Sequence, residues 1–82
     1  MFMYELINGR DVVYIGLTEF TQWAVNGHRY IGNSFTHMNV VSKIESTEDA
    51  KMSHAKMLQS YKRKHGKLPL YNERWKSVEQ VH

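Results

Sequence analysis

Two tyrosines, Tyr4 and Tyr14, stand in separate short apolar runs on either side of Asn8-Gly9. A phenol can relay a proton, accept a hydrogen bond or stack on a ring, so two of them brought together form a candidate site. In a hairpin the same two rings serve equally well as packing residues. A second group is His28-Arg29-Tyr30, set among Gly27, Gly32 and Asn33. Such breaker-rich segments are where contacts with partners concentrate. A third is Lys62-Arg63-Lys64 with Lys67. Cations gathered in this way suit contact with phosphate. They also suit the solvated last turn of a helix, whose negative dipole end favours them. His54 lies on a helical stripe with Ala50, Met57 and Tyr61, as a satisfied core histidine or as a metal ligand. There are no cysteines, which removes disulfides, thiolate metal sites and cysteine nucleophiles.

The elements that must position these residues follow from pattern. Asn-Gly between β-formers signals a hairpin, with strands expected over 2–7 and 12–15 joined by Asn8-Gly9-Arg10-Asp11. Residues paired across an antiparallel ladder share a face, and faces alternate along each strand. Tyr4 and Tyr14 therefore share a face only if paired positions sum to an even number. A two- or four-residue turn gives an odd sum, so a shared face demands an odd loop or a bulge.

Thr18 is placed to cap a short helix carrying Phe20, Trp23 and Ala24, which Asn26-Gly27 would end in a left-handed cap. Residues 27–34 then read as a loop, and a third strand falls within 35–44. Ser46-Thr47-Glu48-Asp49 starts a longer helix that should end near 64–66. Leu68-Pro69-Leu70-Tyr71-Asn72 reads as an extended exit, because residues before proline avoid helix. A tail helix over 73–80 would pack Trp75 and Val78. The class is α+β: a small three-stranded antiparallel sheet flanked by helices, in the order β-hairpin, helix, strand, helix, tail helix, as one domain over residues 1–82.

Eighty-two residues bury roughly 60–65% of their unfolded surface, enough for one modest core. Eleven Lys and Arg against eight Asp and Glu give a formal charge of +3, mildly basic. Acidic residues gather at Glu45, Glu48 and Asp49, and basic ones late in the chain. No apolar run approaches the ~18 residues of a membrane span and no basic-then-apolar leader precedes the first strand. A soluble, cytoplasmic protein without membrane contact is the expectation.

Tyr4, the triplet Tyr14-Ile15-Gly16 and Thr18 two residues on resemble the signature of the GIY-YIG nuclease superfamily. The first triplet reads Phe2-Met3-Tyr4 and retains only its tyrosine. The expected element order is that of the family, and Tyr61 followed by Pro69-Leu70-Tyr71-Asn72 resembles its exit segment. The resemblance implies a GIY-YIG-like domain that hydrolyses phosphodiesters in nucleic acid, DNA ahead of RNA, with one divalent metal, magnesium or manganese. A tyrosine would assist the attacking water, an arginine of the first helix would steady the phosphate, and a glutamate of the later helix would hold the metal. Tyr4, Tyr14, His28 and Asn72 match site positions. The arginine position falls at Ala24, or at Trp23 with a one-residue shift, and the glutamate position at His54. Arg29 or Arg10 could supply the cation from a loop, and His54 could hold a transition metal, although a hard cation prefers carboxylate oxygen.

Three functions compete. The domain is a metal-dependent endonuclease with a displaced arginine and altered metal ligand, a non-cleaving nucleic-acid-binding relative, or a protein-interaction module such as an inhibitor built on a nuclease scaffold.

Overall fold

Asn8-Gly9 turns the chain with Gly9 as the first of two central residues. In the computed structural model, which describes residues 1–73, Asn8 pairs with Asp11, leaving Gly9-Arg10 as a two-residue turn. Gly9 takes φ 67° while Arg10 stays at negative φ, the pattern that requires glycine at the first central position. The turn joins β1 (Phe2–Asn8) to β2 (Asp11–Thr18). The even turn would put Tyr4 and Tyr14 on opposite faces. Instead the register shifts between Leu6 and Ile7: Ile7 pairs with Val12 but Leu6 with Tyr14, so Val13 is the extra residue of a bulge. From there Tyr4 pairs with Gly16, and the two tyrosines share a face.

A third antiparallel strand, β3 (His37–Lys43), pairs with β1 on its other side, giving the order β2-β1-β3. The central strand alternates as a half-buried strand should, with Tyr4 and Leu6 buried toward one face and Met3 toward the other. The main core joins Tyr4, Leu6, Val13, Phe35 and Tyr71, with Ala24, Val25 and Met38 packed against it. Helix α1 (Thr21–Tyr30) covers this face. Helix α2 (Thr47–His65) lies against the opposite face and the outer margin of β2, where Met57 and Tyr61 meet Val12 and Ile15.

Several local expectations are corrected. Thr18 does not cap α1. Phe20 is the N-cap, without a side-chain bond, and the Thr18 hydroxyl bonds Phe20's backbone N–H and carbonyl at 3.2 and 3.1 Å. Nor does α1 stop at Asn26-Gly27. It runs on to Tyr30, and Gly32 (φ 85°) supplies the left-handed residue beyond it. A helical glycine costs only about 1 kcal/mol, and the hydrogen-bonded burial of His28 in the next position outweighs that. Residues 27–34 are therefore not one loop, and His28 is a buried helical residue rather than an exposed contact. Phe35 enters the core instead of β3.

Helix α2 matches its signals: the Ser46 hydroxyl accepts from the Asp49 N–H, and Gly66 closes the helix at φ 81°. Beyond it, the exit is not extended through Asn72: only residues 68–69 stand between the bend at 66–67 and a further helical segment. Residues 70–73 make a helical turn in which the Pro69 carbonyl accepts from the N–H groups of Asn72 and Glu73. This turn carries Tyr71 into the core, with Pro69 fully buried beside the chain's return. The expected tail helix with Trp75 and Val78 lies outside the described residues. Among the described residues, no helix is long and apolar enough to cross a membrane.

Candidate functional site

The bulge at Val13 gathers three rings. The Tyr4 and Tyr14 ring centroids lie 6.0 Å apart, and the His28 ring is 4.5 Å from Tyr14 and 6.0 Å from Tyr4. Gly16 explains how the two phenols fit over one strand. A Cβ on Gly16 would stand 2.5 Å from the Tyr14 ring and 2.8 Å from the Tyr4 ring and hydroxyl. Any side chain there would drive the rings off the strand.

Hydrogen bonds fix the histidine. Asn33 Nδ2 lies 2.9 Å from His28 Nδ1, and His28 Nε2 lies 2.9 Å from the Tyr4 hydroxyl, both contacts buried. An amide NH2 can only donate, so Nδ1 carries the lone pair and Nε2 the proton. His28 then donates to the Tyr4 oxygen, and Tyr4 keeps its own O–H. Burial holds the His28 pKa below the usual imidazole value of 6.5. Burial, and then the neighbouring Tyr14, push the Tyr4 pKa well above the usual value of 10. At neutral pH Tyr4 and His28 are uncharged. Tyr4 can orient a proton or accept one through its lone pair, but it does not offer a phenolate.

Beside these rings opens a groove of about 370 Å³ lined by Tyr14, Ala24, Gly27, His28, Tyr30 and Ile31. Ala24 faces this groove, at the position where the family resemblance asks for an arginine. Trp23, the one-residue alternative, is 70% exposed and packs its ring 4.6 Å from Phe20. Arg29 is on the last turn of α1, with its guanidinium 4.5 Å over the Phe35 ring. Arg10 is at the hairpin turn, in a different cleft. Neither cation lines the groove.

Asn72 and His54 meet at the outer edge of β2. Ile15 belongs to that edge strand, and its N–H donates to Asn72 Oδ1 at 2.8 Å while Asn72 Nδ2 donates to the Ile15 carbonyl at 2.9 Å. Among the described residues β2 has no strand on this side, and one side-chain amide takes that place. His54 Nε2 donates to the same carbonyl at 2.9 Å, so the proton sits on the nitrogen facing the strand. Among the described residues no three His, Asp, Glu or Cys side chains are grouped to hold a metal ion. With a bonded imidazole where a carboxylate is needed, these residues do not fit a hard divalent cation.

The cations Lys62, Arg63 and Lys64 lie in the last turn of α2, and Lys67 just past it, all exposed. The structure thus brings Tyr4, Tyr14 and His28 together, sets Asn72 and His54 at the strand edge, and keeps the cations elsewhere. Sequence reasoning missed Asn33 and Tyr71, whose hydroxyl accepts from the Ser34 N–H at 2.8 Å. Asn33 read as a loop breaker. Its spacing of five from His28, across a helix end, was the one signal available. Comparisons with protein-family models, with curated proteins and with solved structures return no match.

Proposed function

We propose that this chain is a degenerate GIY-YIG-like domain that binds nucleic acid and cleaves it slowly or not at all. The observation that carries this reading is the groove in which Tyr14, His28 and Ala24 face one another. The signature tyrosine and histidine stand at one concave surface, and the residue that would have to be a cation is a methyl group. The walls are aromatic and uncharged, which suits stacking a base and gives a developing phosphorane charge nothing to lean on. Losing one such electrostatic contact typically costs on the order of 100- to 1000-fold in rate, and both the cation and the metal carboxylate are replaced here. Among the described residues, magnesium or manganese would find no carboxylate set at His54.

The test is a cleavage assay on plasmid DNA and RNA with magnesium, manganese or EDTA, alongside a binding measurement on the same substrates. The expected result is binding without appreciable turnover, weakened by Tyr14→Ala. Metal-dependent turnover that Tyr14→Phe abolishes would restore the endonuclease reading. Absence of binding to any nucleic acid at low salt would leave the protein-interaction reading.

A further inference from the structure

A second concavity lies away from the tyrosine groove, between the hairpin turn and the end of α2. It has a volume of about 500 Å³, and Arg10, His65 and Lys67 stand around a floor that includes Val12 and Val13. Arg10 and Lys67 are each placed by a feature already described. Arg10 is the second residue of the Gly9-Arg10 turn. Lys67 follows Gly66, whose positive φ turns the chain back from the helix axis. His65 stacks on Tyr61 with centroids 4.1 Å apart, and the Tyr61 hydroxyl donates to the Val12 carbonyl. The imidazole is therefore held against the sheet rather than left to swing.

The formal charge of the cleft's lining is positive. Asp11 is the one carboxylate among the lining residues, and among the described residues neither Arg10 nor Lys67 forms an ion pair. The negative end of the α2 dipole opposes an anion here, but it amounts to about half a charge. The Gly66 N–H already satisfies the Lys62 carbonyl at 2.7 Å. Two formal cations and an imidazole donor lining one concave surface outweigh that partial charge and the single carboxylate of Asp11.

We propose that this cleft is a phosphate-binding site; resting on the nucleic-acid reading above, it is where one strand's backbone lies. Lys62 and Arg63 add general attraction from outside the cleft, whereas Arg10 and Lys67 act as ligands. The sequence placed Lys67 with its neighbours on α2 and gave Arg10 no link to them. The fold joins the two across 57 residues of chain.

Two charge-matched variants separate a site from diffuse charge: Arg10→Gln/Lys67→Gln and Lys62→Gln/Arg63→Gln. All four side chains are exposed, so both variants should melt with the wild type. Amide chemical shifts are followed with inorganic phosphate, and anisotropy of a labelled single-stranded oligonucleotide is followed against salt. Phosphate should saturably shift residues 10–13 and 65–68 in the wild type and in the second variant, but not in the first. The first variant should lose about 1.4 from the log affinity–log salt slope, at about 0.7 per single-strand phosphate contact, and the second less than about 0.7. Equal losses in the two variants, or phosphate shifts scattered over all the lysines, would overturn the site while leaving nucleic-acid binding intact. Saturable phosphate shifts without oligonucleotide binding would uphold the cleft and overturn the proposed function.

Discussion

Burial holds Tyr4 and His28 neutral, and this gives the folded state a defined pH response. The unfolded His28 takes a proton near pH 6.5, while the folded one resists it. Between the two values the unfolded chain binds more protons, so stability should be full above about pH 6.5 and fall as the pH drops below it. Urea midpoints from pH 8 to pH 5 should show this decline, with His28→Gln lacking its share. Tyr4 has the opposite sense: its raised pKa contributes stability that is present below pH 10 and lost above it. Asn33→Asp should reverse the histidine behaviour. A carboxylate at Nδ1 demands a proton there and favours imidazolium, so the His28 nitrogen resonances should change tautomer and its titration should move upward. Unchanged resonances would mean that Asn33 does not set the proton's position. Gly16→Ala should cost about 1–3 kcal/mol, the usual range for overpacking, because the Tyr4 ring is buried and cannot swing aside. Equal denaturation midpoints for variant and wild type would show that the rings yield freely.

At the level of elements, among the described residues the outer edge of β2 is closed by side chains rather than by a strand. Asn72→Ala removes both partners' bonds to Ile15 and leaves only His54 on the carbonyl. Each buried polar group left unsatisfied costs about 1–3 kcal/mol. The variant should therefore lose stability in that range, with the Ile15 amide exchanging fastest relative to wild type. Exchange unchanged at Ile15 would remove Asn72 from this role. The hairpin, the Ser46 start of α2 and its Gly66 stop were legible because each rests on local chemistry: a turn, a cap, a left-handed residue. The parity of Tyr4 and Tyr14 was legible only as a condition. Whether a bulge or an odd loop met it depends on where Val13 finds room, which is a tertiary matter. The end of α1 was misread because Gly27 looks like a stop until His28's buried partners are known. Asn72 was legible as the asparagine of the exit segment, but its target, 57 positions earlier, leaves no trace in neighbouring residues.

Over the described molecule, the aromatic groove has no cation in its lining, and the proposed nucleic-acid binding inherits that division. Tyr30 is 91% exposed at the mouth of the aromatic groove, while five cations, Arg10, Lys62, Arg63, Lys64 and Lys67, gather around the hairpin turn and the end of α2. Wild-type affinity for duplex DNA should fall with a log–log salt slope of about −2 to −4, since only a few phosphates can be neutralised. Tyr30→Ala should weaken single-strand binding by about 1–3 kcal/mol, the worth of one base stack, without altering that slope. A slope that changes with Tyr30→Ala would mean that the two surfaces are not independent. Ala24→Arg puts a cation into the groove beside Tyr14. By itself it should tighten binding and still give no efficient cleavage, because His54 remains bonded to Ile15.

The closure of β2 by Asn72 has a consequence for the order in which the protein becomes itself. The hairpin, α1, β3 and α2 are all translated before Pro69, Tyr71 and Asn72, and bacterial or eukaryotic ribosomes add about 5–20 residues per second. Until those three residues arrive, the nascent sheet has an open edge at Ile15, and the core lacks the ring of Tyr71. The turn that carries them is therefore the latch of the described fold. A chain halted at residue 66 should hold the hairpin signals yet expose an adhesive strand margin, so the interval between α2 and Asn72 is when the newborn protein is most in need of a chaperone.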